Sequence, residues 1–275
     1  MKIYYKANNP QAAMSAYLLG KELECENLIA KARNSDINSK TVIGEPIIFV
    51  GYAPKLDLIK SLITRVSSLT IYVSDDINVK EIRDYARTPE IGVPLFINKF
   101  EGCLLEAIWE RLRPHSEPPA QVKVVIDNYY RKENQTEANA FAFWHALGFS
   151  AETAKTFLEE PLYSADLKGA IIFKYRENFA NKILKRAFTI DWMNSKVVVL
   201  SIPGELVGEL LPLLKLKYPQ ADFFMFTQVT SKGVKCRVRS NKDFDVQPIV
   251  RAFKGQGTTQ SGIFTLDWDF ASLAS

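Results

Sequence analysis

Short, mostly apolar runs recur along the first hundred residues at intervals that leave room for one helix each. Pro46-Ile47-Ile48-Phe49-Val50 and Pro94 to Ile97 are such runs, without the polar alternation of a half-exposed strand, and Leu69 to Val73, free of charged residues, is another. Strands of this kind are buried on both faces. Between the first two, Ile59, Leu62, Ile63 and Val66 fall at i, i+3, i+4 and i+7, so the spacing predicts an amphipathic helix from about Lys55 to Ser67. A shorter helix is expected from Val79 to Tyr85. Strand, helix, strand, helix at this spacing specifies a mostly parallel sheet with helices on its faces.

The chain opens in the same way. Lys2-Ile3-Tyr4-Tyr5 reads as a strand, Lys6 to Gln11 as a polar loop, and Ala12 to Leu19 as a helix, with Asn9 suited to the N-cap and Pro10 to the first helical position. In an α/β sheet such a loop lies at the carboxyl end of a strand, where ligands gather. Further helices are expected at Gly102 to Leu112, Val122 to Tyr130, Thr136 to Leu147 with Gly148 ending it, Ala151 to Leu158, and Leu167 to Ala187.

A second α/β unit follows, with strands at Lys196 to Ile202, Phe223 to Val229, Val234 to Arg239 and Ile263 to Trp268, and helices at Glu205 to Leu216 and Val246 to Phe253. At 275 residues the chain can hold two domains. The expected division is 1–165, a connecting helix over 166–194, and a smaller domain with a mixed sheet over 195–275.

Hydrophobic residues at 47% and charged residues at 24% match an ordinary globular protein, and no apolar run approaches a membrane span. A cytoplasmic protein is the expectation. Cys25, Cys103 and Cys236 are too few and too scattered for a disulfide framework or a metal knuckle, which leaves buried free thiols. The net charge is only +4, yet Lys232, Lys235, Arg237, Arg239, Lys242, Arg251 and Lys254 stand within one segment against Asp243 and Asp245 alone. In Val234-Lys235-Cys236-Arg237-Val238-Arg239 the period of two puts the three cations on one face of a strand. The outcome is either a solvated basic face or an anion site.

Order and motifs together resemble the DHH phosphoesterase superfamily with its DHH-associated C-terminal domain, in particular its exopolyphosphatase-related and oligoribonuclease-like members. Where those open with Y-H-x-N-C-x-D-G-F-x-A-A, this chain reads from Tyr5 to Ala16 with Lys6 for the His, Gln11 for the metal-binding Asp and Ala12 for the Gly. Gly51 stands at the second strand's Asp, and Ser74-Asp75-Asp76 at the Asp-His-His signature. Asp127, in Val125-Ile126-Asp127-Asn128-Tyr129-Tyr130, matches a family Asp. Val238-Arg239-Ser240 matches a strand ending in Arg-Ser, and Lys254-Gly255-Gln256-Gly257-Thr258 a Gly-rich loop in which Thr258 replaces a His.

The resemblance implies a two-domain fold whose family chemistry uses two metal ions to activate water. Of that donor set only Asp75 or Asp76 and Asp127 remain, and His115 and His145, the chain's two histidines, stand elsewhere. The expectation is therefore a DHH-type protein without cofactor or catalytic residues. It holds a phosphate-bearing ligand, single-stranded nucleic acid (RNA) or a nucleotide, with Lys6, Lys235, Arg237, Arg239, Lys254 and Thr258. Tyr5, Tyr52, Tyr129 and Tyr130 are candidates for stacking on bases. The alternatives are a divergent phosphodiesterase using manganese or magnesium at Asp75, Asp76 and Asp127, and a scaffold that binds nothing. A homo-oligomer is compatible with each.

Overall fold

The computed structural model describes residues 1–31, 37, 39–74, 76, 78–88, 92–132 and 134–267. Its contacts divide into two compact units, Met1–Phe173 and Lys174–Ser275.

The first unit is built on a five-stranded sheet of β1 (Lys2–Lys6), β2 (Leu28–Lys31), β3 (Pro46–Val50), β4 (Ser68–Val73) and β5 (Leu95–Lys99), in the order β2-β1-β3-β4-β5. Every pairing is parallel. The unit's helices are α1 (Pro10–Glu22), α2 (Leu56–Ile63), α3 (Val79–Ala86), α4 (Leu104–Leu112), α5 (Ala120–Tyr130), α6 (Gln135–Leu147) and α7 (Ala151–Glu159), and α8 (Leu162–Leu184) begins in this unit and ends in the second.

Successive residues of the central strands enter different cores, whereas on the edge strand β5 Leu95 and Ile97 pack in one core and Phe96 is exposed. Ile3, Tyr5, Ile48 and Val50 pack with α1, α4, α5 and α7, while Tyr4, Ile47, Phe49, Leu69 and Ile71 pack with α2 and α3. This two-sided burial is what the unbroken apolar runs require. Helix α1 begins as its sequence specifies, with the Asn9 side chain accepting from the Ala12 N–H at 2.9 Å and Pro10 in the first turn.

β2 has no counterpart among the expected strands. It is a four-residue edge strand held by its pairing with β1, Ile3 opposite Leu28 and Lys6 opposite Lys31. Too short to show a period, it is defined by the pairing alone.

The second unit holds a mixed sheet of β6 (Phe188–Trp192), β7 (Ser195–Ser201), β8 (Phe223–Thr230), β9 (Gly233–Ser240), β10 (Gln256–Gly257) and β11 (Ser261–Leu266), in the order β10-β11-β9-β8-β7-β6. Only β7 and β8 are parallel. Between them run a 3₁₀ turn, Gly204–Leu206, and α9 (Val207–Lys217), and α10 (Gln247–Ala252) follows β9. Trp268, expected to close the last strand, lies outside the described residues.

β6 was not foreseen either, since the helix was expected to reach Ala187 and the next strand to begin at Lys196. A signal was present: Phe188, Ile190 and Trp192 alternate, and Met193-Asn194 form a two-residue turn with φ of 52° and 60°. Paired positive φ values are the geometry that a tight antiparallel hairpin needs. The three cysteines are buried free thiols, as expected, and desolvation pushes Cys236 up to about 11.

Helix α8 begins at Leu162, five residues before the expected start, and its Gly169 lies directly against the Asn139 carbonyl of α6, where any Cβ would collide. Asn139, buried there, donates to Asp166 at 2.7 Å and accepts from Gln135 at 2.9 Å. Gly169→Ala is therefore expected to destabilise the chain by about 1–3 kcal/mol through overpacking. In an exposed helix the same change stabilises by about 1 kcal/mol. The sign of the shift in urea midpoint thus reports the contact.

Candidate functional site

At the carboxyl edge of the parallel sheet the short loops after β1, β3 and β4 converge. Lys6, the last residue of β1, is exposed, and its register partner on β2 is Lys31, a cation that sequence reasoning missed because β2 itself was missed. Gly51, just after β3, has φ of +83° and donates to the Tyr72 carbonyl at 2.8 Å. A Cβ added to it would stand 2.6 Å from the Ala12 Cβ and 3.4 Å from the Lys6 Cβ. Glycine is needed for the backbone angle and for the close approach alike. The space into which a ligand at this position would project holds Ala12 and the stem of Lys6.

Gln11 is also committed. Its Oε1 accepts from the Leu104 N–H at 2.9 Å and from the Cys103 thiol at 3.5 Å, so it caps the start of α4. Burial raises the Cys103 thiol above its ordinary range. On the same turn the Tyr130 hydroxyl donates to Glu106 at 2.8 Å and accepts from the Cys103 N–H at 3.3 Å, and the bond to Glu106 raises its pKa.

Asp76 joins two loops. One carboxylate oxygen accepts from the Ala53 N–H and the other from the Asn78 N–H, both at 2.9 Å, and Asn78 returns a bond to the Ala53 carbonyl. Asp75 lies outside the described residues. The carboxylate of Asp127, part-buried on α5, has no hydrogen-bond or ion-pair partner among the described residues. Two divalent ions require several converging oxygen and imidazole donors. Here one position is an amide occupied by a helix end, one is a packed glycine and one is an aspartate spent on backbone N–H groups. Among the described residues no group of three or more His, Cys, Asp or Glu could hold a metal, and these side chains do not fit a two-ion centre.

The expected aromatics separate into two kinds. Tyr5 and Tyr52 are buried, with the Tyr5 hydroxyl accepting from the Ala151 N–H at 3.1 Å. They belong to the core. Tyr129 and Tyr130 are exposed at the end of α5, their rings 5.0 Å apart edge to face, with the Lys132 ammonium 5.1 Å from the Tyr130 ring.

In the second unit, the alternation in β9 is as the sequence predicts. Cys236 and Val238 are buried against α10, while Lys235, Arg237 and Arg239 lie half-buried on the opposite face, the one that carries Phe224 and Phe226 of β8. Across the ladder these cations meet Gln228, Phe226 and Phe224 on β8, and Thr265, Ile263 and Ser261 on β11. None of the six is acidic, and no ion pair among the described residues involves the three cations.

Arg237 is held in place. Its guanidinium lies across Gly204 at the start of the 3₁₀ turn leading into α9, and it donates to Gln228 at 3.2 Å. Gly204 and Gln228 are partners that no sequence period reveals, since only the fold of β8 and the turn over β9 brings them together. Arg239 donates to its neighbour's carbonyl at 3.0 Å. Thr258 reaches the same region: its N–H donates to Ser261, the register partner of Arg239, at 2.7 Å. Lys254 is exposed ahead of β10, two strands from β9 and thus roughly 10 Å from it at the usual strand spacing.

Asp76→Ala removes two charge-assisted bonds to backbone N–H groups and is expected to destabilise the chain by about 2 kcal/mol, read as a lower midpoint of urea unfolding.

No protein-family model matches the sequence, and no curated protein matches it. Solved structures do. A pGpG-specific phosphodiesterase, PggH from Vibrio cholerae, aligns with a TM-score of 0.55 at 11% identity over 100% of this chain and 96% of that one. The DHH domain of a member of the s1p family of ribosomal proteins aligns with a TM-score of 0.57 at 10% identity, over 99% of this chain and 84% of that one. A five-stranded parallel sheet, a long helix and a mixed second sheet, in that order along the chain, give this protein the fold of the DHH-domain phosphoesterases.

Proposed function

We propose that this chain is a non-catalytic DHH-fold protein that binds a phosphate-bearing ligand, single-stranded RNA or a nucleotide, on the basic face of β9. The observation that carries the reading is the row Lys235, Arg237 and Arg239, half-buried with neutral neighbours on both adjacent strands. Like charges at alternate strand positions stand about 6.8 Å apart and repel one another. A structure that leaves them without carboxylates keeps a charge that a polyanion can neutralise. Fixing the Arg237 guanidinium against Gly204 lowers the entropy lost on binding. Thr258 adds a hydroxyl 3.5 Å from that of Ser261, the register partner of Arg239. PggH is specific for a nucleotide, pGpG, which is consistent with this ligand class.

Three phosphate contacts give a slope of log K against log salt of about −2 for a single strand. Fluorescence anisotropy with a short oligoribonucleotide at low salt is expected to show binding that follows this slope. Arg237→Ala with Arg239→Ala should weaken it by at least about tenfold, or 1.4 kcal/mol, and flatten the slope to about −0.7. Absence of binding at low salt, or an unchanged affinity in the double variant, refutes the proposal. Competition by a mononucleotide separates the two ligand forms. Manganese-dependent cleavage of the oligomer that is abolished in Asp127→Asn would instead establish the phosphodiesterase.

A further inference from the structure

Helix α8 carries large apolar side chains that nothing in the described structure covers. Tyr163, Leu167, Ile171 and Tyr175 follow one another at four-residue intervals and are 71, 63, 71 and 70% exposed. A row spaced by four forms one ridge along a helix, the unit with which helices pack on one another. The opposite side of α8 is already used, with Gly169 set against α6 and Ala165 buried in the first core. Single exposed apolar residues need no explanation, but a continuous ridge on a water-facing helix marks an interaction surface.

The order of the ridge indicates its occupant. Tyr, Leu, Ile, Tyr is symmetric in residue class about position 169. If two copies lie antiparallel with a two-fold axis there, Tyr163 of each meets Tyr175 of the other and Leu167 meets Ile171. An isologous interface needs this self-complementarity. The charges agree. Towards the amino end stand Glu159, the last residue of α7, Glu160, paired with Lys168 at 2.7 Å, and Asp166, bonded to Asn139, and these four charges sum to −2. Lys174, Arg176, Lys182, Lys185 and Arg186 lie towards the carboxyl end, with Glu177. Antiparallel pairing brings the acidic end of each copy to the basic end of the other, whereas parallel pairing sets like against like. Exposed Ala170, near the centre, is small enough to let the backbones approach. Each ridge offers roughly 500 Å², so a pair buries about 1,000 Å², where specific interfaces begin.

We propose that α8 is a dimerisation helix that pairs antiparallel with α8 of a second copy of this chain. The full chain is expected to show a concentration-dependent dimer in size-exclusion chromatography with light scattering. Leu167→Glu with Ile171→Glu should be monomeric, with unchanged far-UV circular dichroism and thermal midpoint.

Cysteine cross-linking tests the register, since the native thiols are buried and the unaltered chain serves as the control. Under mild oxidation Ala170→Cys should form a covalent dimer, as should Tyr163→Cys combined with Tyr175→Cys. Tyr163→Cys alone should not, because its twin lies about 18 Å away across the axis. A monomer at the highest attainable concentration overturns the proposal, and so does a dimer unaffected by the two glutamates. Efficient cross-linking of Tyr163→Cys alone overturns the antiparallel arrangement.

Discussion

Two-sided burial of the parallel sheet is the constraint on which the first unit depends. Neighbouring residues of one strand, Tyr4 and Tyr5 or Phe49 and Val50, enter opposite cores, so both faces of the central strands are closed to solvent and to ligands. Polar chemistry is confined to the loops at the strand ends. In those loops Gly51 packs on Ala12, Gln11 caps α4 and Asp76 clasps two loops together. The polar groups of these loops satisfy backbone donors and close packing.

The second sheet obeys the same alternation with a different result. On β7 and β8 both faces are apolar and both are covered, since Val197 and Phe223 face one core and Val198 and Phe224 the other. β9 keeps one apolar face, Cys236 and Val238, and gives the other to Lys235, Arg237 and Arg239. Replacing an apolar row by cations where the helical cover ends makes a surface that is rigid, because it lies on a central strand, and charged, because its neighbours are neutral. Preorganisation of this kind is what a binding site on a scaffold needs.

Much of this was legible in the residues. Apolar runs without alternation specified buried parallel strands, Asn9 and Pro10 specified the start of α1, and the period of two in Val234 to Arg239 specified a basic face. β2 and β6 were not seen, the first because four residues show no period and depend on pairing for their identity. The second was hidden because its alternating Phe188, Ile190 and Trp192 were absorbed into the end of a helix. Tyr5 and Tyr52, which stand next to polar loops in sequence, proved to be core residues, since a tyrosine one position from a strand end points wherever the pleat sends it.

The chain by itself determined the fold class, the order of elements and the charge of one strand face, since these follow from short-range periodicity and residue type. Tertiary structure decided what each polar group does. That Gln11 serves a helix end 93 residues away, that Asp76 bonds Ala53, and that Arg237 lies against Gly204 are contacts between segments distant in sequence. Their partners are backbone N–H groups and a Cα, which every residue possesses and no sequence pattern marks.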